Sequence, residues 1–334
     1  MRRTEAGRTL AFERPDTTER GTMLPGPVPS VVSPRLSRDP SKRCSVREFA
    51  ALGVAVLLSG ALAGGCDAPL PEDPKQAETQ AAQLLEQAYE DLDAGRWREG
   101  LDRSKRALRL REHANGGRLQ LAEAHAHLAW ARWGMEESSA AAGHESTVAR
   151  LCAMVEPGSE DLRSYVMHML GNVHHARGEP AEAIRWWKAT LADLRAAAEP
   201  DAESIAWVGN DLADQLRRVG SVVSAESLQV EMVRLARTEL GASPYTPILL
   251  NNLGALYWDQ DRLAEAEALY REALEVSLSD SASTPTRRAI AHLNLGVLQH
   301  DQAHWETSRE NLDRALELSR EGFEADDPQR VMFL

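Results

Sequence analysis

The chain has 334 residues, enough for two average domains or for one elongated repeat array. Hydrophobic residues make up 43% of it and aromatic residues only 5%, and Ala and Leu dominate after residue 75, so the composition favours helix over strand. The formal net charge is −13, divided into +4 for residues 1–65 and −17 for residues 66–334. An acidic body repels phosphate backbones, which argues against nucleic acid as a partner.

The first 48 residues are rich in Arg, Pro and Ser and lack helical or strand periodicity, so we predict that residues 1–48 are a disordered basic region. Fifteen uncharged residues follow, from Phe49 to Ala63. At about 1.5 Å per residue, this stretch is too short to cross a bilayer as a helix. A basic segment before a short apolar one predicts a secretory signal, here over residues 49–65. The basic segment is long if Met1 is the start, and Met23 is an alternative start.

The apolar run ends in the sequence LAGGCD, residues 62–67. This ending resembles the lipobox of bacterial lipoproteins, in which diacylglycerol is attached to the Cys and cleavage falls just before it. The chain departs from the family in having Ala63 where Leu is usual. The resemblance implies that Cys66 is lipidated and that the mature protein is anchored in the bacterial cell envelope, on the periplasmic side of the inner or outer membrane. A plain secretory signal is the alternative.

Two further predictions follow from a signal that ends at Cys66. The acidic, Pro-rich residues 66–77 are predicted to be an extended tether. If Cys44 leaves with the signal, Cys152 is the one cysteine left to the body, so an internal disulfide is excluded. A lone Cys on a helix is usually a small buried apolar residue.

From residue 78 to residue 334 the chain repeats itself, most clearly in units that begin at Met167, Leu250 and His292. In each unit a small residue opens the packing face of the second helix, in steps of 41 or 42 residues. These small residues are Gly100, Ala142 or Ala141, Ala183, Ala225, Ala266 and Ser308. The second unit has two registers because Trp130 is too large for the first of them. We therefore predict six helical hairpins, with the start of a seventh after Pro328.

The motifs LNNLGALY at residues 250–257 and AEALYREAL at residues 266–274 resemble the tetratricopeptide repeat family. The unit exceeds the usual 34 residues, which is similar to the kinesin-light-chain-like variety. The resemblance implies an all-α fold, a right-handed α-α superhelix whose first helices line a concave surface. In this family that surface binds peptides or extended segments, and Asn side chains there often hold the main chain of the ligand.

Eleven side chains match that inner surface and are the candidate ligand contacts. They are His168, Asn172, His175, Asn210, Asp214, Arg217, Asn251, Asn252, Trp258, Asn294 and His300. Because few Lys residues are nearby, the family's basic clamp for a C-terminal carboxylate is not evident. The alternative interpretation is that these are ordinary solvated or inter-helix polar residues.

The chain lacks a phosphate loop, a dinucleotide fingerprint, a nucleophile elbow and a metalloprotease motif. The pairs His125 with His127 and His174 with His175 diverge on a helix, which argues against a metal site. We therefore predict a scaffold or adaptor that binds a protein or an extended peptide, without catalysis, cofactor or small-molecule substrate. The alternatives are a pilotin-like or outer-membrane assembly lipoprotein and an activator of a cell-wall enzyme.

Overall fold

The computed structural model describes residues 69–159, 161–241, 243–280 and 283–322. Within these ranges the chain forms twelve α-helices and no strand. The helices are α1 (Pro74–Asp93), α2 (Trp97–His113), α3 (Arg118–Gly134), α4 (Ser138–Ala153), α5 (Asp161–Ala176), α6 (Pro180–Ala196), α7 (Ala202–Arg218), α8 (Val222–Leu235), α9 (Thr246–Asp259), α10 (Leu263–Ser279), α11 (Pro285–Asp301) and α12 (Trp305–Gly322). A π-helical turn, Ala236–Leu240, extends α8. The predicted basic region, signal and lipidated Cys66, and the predicted start of a seventh hairpin, lie outside the described residues.

Consecutive helices pair as six hairpins, from α1 with α2 to α11 with α12. Each hairpin packs mainly on the next one, as expected for a solenoid in which no unit buries its apolar face alone. Pro180, Pro247 and Pro285 lie in the first turns of α6, α9 and α11, where a missing N–H costs no helical hydrogen bond. The predicted all-α solenoid of six helical hairpins is confirmed.

The turn inside each hairpin contains one residue in the left-handed conformation, with φ between 60° and 79°. These residues are Gly95, Glu136, Gly178, Gly220, Asp261 and Ala303, and they recur in steps of 41 or 42 residues. A left-handed residue just after a helix lets backbone N–H groups bond back to its last carbonyls. In the first hairpin, for example, the Arg96 amide donates to the Asp91 carbonyl over 2.8 Å.

The second unit follows the register through Ala141. Ala129, Ala141 and Val148 are each 0% exposed, whereas Ala142 and Ala149 are exposed. The alternative register through Ala142 is therefore wrong. The reason is the size of Trp130, which is too large for the helix crossing. Trp130 is half-buried beside Tyr89, with ring centroids 5.4 Å apart, and Ala129 occupies the crossing instead.

Small residues at the helix crossings make room for a large side chain sixteen residues later. A methyl group on Gly254 would lie 2.6 Å from the ring of Tyr270, and one on Gly296 would lie 2.9 Å from Leu312. Such a group on Gly171 would overlap the indole of Trp187. The paired helices therefore approach closely because a side chain is missing at each crossing.

The segment before the first helix packs against the body. Helix α1 begins at Pro74, four residues before the predicted domain boundary at residue 78, and the Asp73 carboxylate accepts from the Lys75 amide over 3.0 Å. Leu70 packs against the apolar cluster of the first hairpin. Residues 74–77 of the predicted tether are therefore helical, and residues 69–73 are non-helical but contact the body through Leu70. None of the helices in the described ranges is both long enough and apolar enough to span a bilayer.

Candidate functional site

The six first helices, α1, α3, α5, α7, α9 and α11, form the inner side of the array. Neighbouring first helices contact one another directly, for example α1 with α3, α3 with α5 and α9 with α11. Successive second helices do not contact one another to a similar extent within the described ranges. An array of hairpins curves toward the side on which its helices are closer, so the concave surface is lined by first helices.

A row of side-chain pairs links consecutive first helices along this surface. His168 Nε2 lies 3.4 Å from an Asp211 carboxylate oxygen, and Asn252 Nδ2 donates to Asn210 Oδ1 over 2.7 Å. The partners are 43 and 42 residues apart, one repeat unit. We call this row the inner ladder. His168 and Asn210 are buried, so each bond satisfies a polar group that water does not reach.

The next rung of the inner ladder is open. Asn251 and Asn294 are 43 residues apart, the separation of His168 and Asp211, but no hydrogen bond joins them. Oδ1 of Asn251 is buried and lacks a hydrogen-bond partner. Both residues are half-buried, so the rung borders the inner surface. An unbonded buried amide oxygen costs about 1–3 kcal/mol, and a bound hydrogen-bond donor would recover part of that cost.

A second row of contacts lies toward the hairpin turns. His175 Nδ1 donates to Gln215 Oε1 over 2.7 Å when that nitrogen carries the proton. Arg217 binds both Asp214, at 3.1 Å, and Asp259 of the next first helix, at 2.9 Å. These bonds tie α5 to α7 and α7 to α9.

The row continues between α9 and α11, where Trp258 Nε1 donates to Asp301 over 3.1 Å. His300 is exposed, and its ring lies 4.9 Å from the ring of Trp305. Asn172, in contrast, accepts from Trp187 Nε1 over 3.0 Å, so this predicted contact serves its own hairpin. The structure therefore brings most of the eleven predicted residues into contacts between or within repeats.

Sequence reasoning missed the partners of these residues, namely Asp211, Gln215, Asp259 and Asp301. All four lie one residue beyond an inner position that was named. The signal was present, since a side chain that projects toward the next repeat meets the residue 42 or 43 positions later.

A second polar cluster, also missed, joins the second and third hairpins. His174 is buried and lies between two carboxylates, with Nε2 3.1 Å from Glu145 and Nδ1 2.7 Å from Glu179. Glu145 also accepts from Trp186 Nε1 over 2.9 Å and from Arg185 over 2.8 Å. Burial disfavours the charged ring, but the hydrogen bonds and negative charges of the two carboxylates outweigh it, so the pKa of His174 is raised.

Two other groups predicted from sequence to be non-catalytic have shifted pKa values. His125 Nδ1 lies 2.9 Å from His144 Nδ1, and burial, with the charges of His144 and Arg150, lowers the pKa of His125 to about 4. Burial raises the pKa of the Cys152 thiol to about 11, which keeps it protonated at neutral pH. Across the described ranges, no three His, Cys, Asp or Glu side chains group closely enough to hold a metal ion.

Residues 164–201 and residues 204–279 each match a family model described as tetratricopeptide repeat. Over these two ranges the chain matches the tetratricopeptide repeat. The two matched ranges cover the third, fourth and fifth hairpins, which carry the inner ladder. Neither matched model is described as a catalytic domain.

Solved structures with the same fold include kinesin-light-chain-like tetratricopeptide proteins. BtubC (BKLC) from P. vanneervenii is 18% identical over 75% of this chain and 94% of that chain, with a TM-score of 0.55. Kinesin-light-chain repeats from P. anserina are 17% identical over 61% and 96%, with a TM-score of 0.50. The quorum sensor NprR from B. thuringiensis is 13% identical over 78% and 68%, with a TM-score of 0.54. At these identities the likeness establishes the fold. No curated protein matches the sequence.

Proposed function

We propose that this chain is a lipid-anchored scaffold of the bacterial cell envelope, which binds an extended segment of another protein along its inner surface and catalyses no reaction. The tetratricopeptide fold supports the binding role, because a curved array of paired helices offers a long groove built from many repeats. The LAGGCD sequence at residues 62–67 supports the anchor at Cys66.

The open rung formed by Asn251 and Asn294 is the observation that supports this site best. The rungs between α5 and α7 and between α7 and α9 are closed by side-chain contacts within the protein, whereas Asn251 Oδ1 lacks a donor. The main chain of an extended segment offers an N–H donor and a C=O acceptor, and a side-chain amide can bind both at once. Because Asn251 Oδ1 is buried, its side-chain torsions would have to change for the oxygen to reach the groove, and an extended segment that donated to it there would close the rung.

The charge of the groove near the rung also restricts the partner. Arg217 lies between two carboxylates, and Asp301 accepts a hydrogen bond from the neutral indole of Trp258, so negative charge exceeds positive charge at these contacts. An acidic segment would be repelled there, and a segment that competed for Arg217 would have to break its two ion pairs. The expected partner segment is therefore extended and not acidic where it crosses α9 and α11.

The experiment that tests the binding role is chemical crosslinking of the full-length protein in its membrane, followed by mass spectrometry of the captured partner. Crosslinks are expected on α9 and α11, and Asn251→Ala combined with Asn294→Ala is expected to reduce capture at least about tenfold, which corresponds to two hydrogen bonds of roughly 1 kcal/mol each. The control is Ser224→Ala with Ser227→Ala, on the exposed face of α8. Capture that is equal in both double variants, or crosslinks on second helices alone, would contradict the proposal.

The anchor has its own test. Mass spectrometry of the mature protein is expected to find an acylated amino-terminal Cys66, and Cys66→Ser is expected to release the protein from the membrane fraction or to block its processing. A mature protein that begins elsewhere and carries no acyl group would show that the anchor is absent, whatever the result at the groove.

A further inference from the structure

The segment of residues 69–73, here called the strap, is bound along the outside of the first hairpin. Arg106, which is buried, donates from Nη2 to the Pro69 carbonyl over 2.7 Å. His113 Nε2 donates to the Pro71 carbonyl over 2.8 Å. Between these two bonds Leu70 packs on the cluster that includes Ala77, Ala81, Leu85, Ala107 and Leu110. The strap is therefore held by two hydrogen bonds and an apolar contact.

The strap covers the end of the solenoid. Arg106 and His113 are seven residues apart and so share one face of α2. Trp97 and Arg111 project from the opposite face toward the second hairpin, where Trp97 lies against Gly134 and Arg111 donates to the Gln120 carbonyl. The strap thus lies on the side of the first hairpin that has no neighbouring hairpin. Solenoid ends need such a cover, because their apolar surface is otherwise open to water.

This position limits where a group attached to Cys66 can be. Cys66 is three positions before Pro69, and a fully extended chain spans at most about 3.5 Å per residue, or roughly 10 Å over that distance. We propose that the strap fixes the lipid anchor at the end of the first hairpin, so that this end of the solenoid faces the bilayer and the other five hairpins project away from it. The inference rests on the proposed lipidation of Cys66.

The distribution of charge favours the same orientation. Residues 69–117, the strap and first hairpin, carry eight basic and ten acidic side chains, a net of −2. Residues 118–334 carry twenty basic and thirty-four acidic side chains, a net of −14. Anionic head groups repel residues 118–334, the more acidic part, and an orientation with the first hairpin at the bilayer keeps that part away from them. At about 10 Å per packed layer, the sixth hairpin would stand roughly 50 Å from the first, with the groove open along its whole length.

Energy transfer to the membrane tests this orientation. The full-length, acylated protein with Cys152→Ala is labelled with a donor dye at Glu112→Cys on α2 or at Asp313→Cys on α12, both exposed positions. It is then placed in phosphatidylcholine vesicles that contain an acceptor lipid. Strong transfer is expected from residue 112 and weak transfer from residue 313. Equal transfer from both positions would overturn the proposed orientation.

A longer connection between anchor and strap provides the matched variant. An insertion of about a dozen Gly and Ser residues after Asp67 adds a flexible span of about 20 Å without touching the folded body. Transfer from residue 112 is expected to fall to less than half, and unchanged transfer would contradict a close anchor. Mass spectrometry of the same sample distinguishes a failure of the proposed anchor from a failure of the proposed orientation. An unacylated Cys66 overturns the anchor and the orientation together, whereas an acylated protein with equal transfer overturns only the orientation.

Discussion

Trp186 and Trp187 are consecutive residues of α6, yet they belong to different apolar cores. Trp186 packs with Val148 and Cys152 of the second hairpin and with Val166 of α5, whereas Trp187 belongs to the core that runs on through the fourth and fifth hairpins. Helix α6 therefore contributes to both of these cores, with one tryptophan in each.

The first prediction concerns the close approach of α5 and α6. Gly171→Ala would place a methyl group within the indole of Trp187. We expect it to lower the free energy of unfolding by about 1–3 kcal/mol, the usual cost of overpacking. The measurement is the urea midpoint followed by circular dichroism.

The matched control is Gly143→Ala in α4. Its new methyl group would meet nothing within 4 Å, and the glycine is exposed in a helix. Alanine there is expected to raise stability by about 0.5–1 kcal/mol. If both variants shift the midpoint in the same direction, the packing of α5 on Trp187 is not as described.

The second prediction concerns the left-handed turns. Ala303 has a φ of 60°, which costs an L-residue about 1–2 kcal/mol more than it costs glycine. Ala303→Gly is therefore expected to stabilise the protein by about 0.5–1 kcal/mol after the entropy lost by glycine. Gly178→Ala, at a φ of 69° with nothing within 4 Å of the new methyl group, is expected to have the opposite effect. Calorimetric unfolding of both variants measures the two shifts.

The third prediction is a pH dependence that originates at His174. Its pKa in the folded protein is raised above 6.5 by Glu145 and Glu179, while Arg177 and Arg185 bind the outer oxygens of the same carboxylates. The stability that it contributes is complete below pH 6.5 and is lost as the pH rises through the raised pKa. His174→Gln is expected to remove this decline. Urea unfolding between pH 6 and pH 9 measures it.

His125 provides the contrast, because its pKa is lowered to about 4. The folded protein favours the neutral ring, so stability is expected to fall as the pH drops from about 6.5 toward 4. His125→Gln is expected to reduce this acid-side loss, to which His127 and His144 also contribute because burial lowers the pKa of each, and to leave the alkaline side unchanged. A single variant that flattened both sides would contradict the independence of the two clusters.

The fourth prediction separates a structural amide from a candidate ligand contact. Asn252→Ala leaves the buried amide of Asn210 without its partner, and we expect a loss of about 1–3 kcal/mol. Asn294→Ala breaks no bond between side chains and is expected to change stability by less than about 0.5 kcal/mol. Thermal unfolding of the two variants side by side checks this. Equal losses would mean that the inner ladder has no open rung.

The spacing of small residues and breakers was sufficient to predict the hairpins, because each crossing needs a missing side chain and each turn needs a break. Composition could not choose between Ala141 and Ala142, since both are small and only the packing of Trp130 distinguishes them. The contact of Leu70 could not be predicted from the sequence, because the Pro-rich, acidic composition of this segment is typical of solvated chain and the apolar surface exists only after α1 and α2 have paired.

The candidate site was harder to predict than the fold. The inner positions follow from the repeat, but their partners depend on how far one hairpin is rotated against the next, which single-sequence periodicity does not contain. The cluster around His174 shows the same limit. Glu145 is 29 residues from His174, on a different hairpin, and a carboxylate on an amphipathic helix gives no sign of a buried partner.

The closed rungs of the inner ladder also restrain the shape of the array. The hydrogen bond between Asn210 and Asn252 holds α7 and α9 at a fixed distance from each other. A ligand that replaced this hydrogen bond with its own would allow the fourth and fifth hairpins to change their relative angle. A ligand that bound only Asn251 and Asn294 would instead add a link between the fifth and sixth hairpins. The depth to which a ligand enters the groove would thus affect the curvature of the solenoid. A flexible ligand could follow that curvature at a smaller cost in binding free energy than a rigid one.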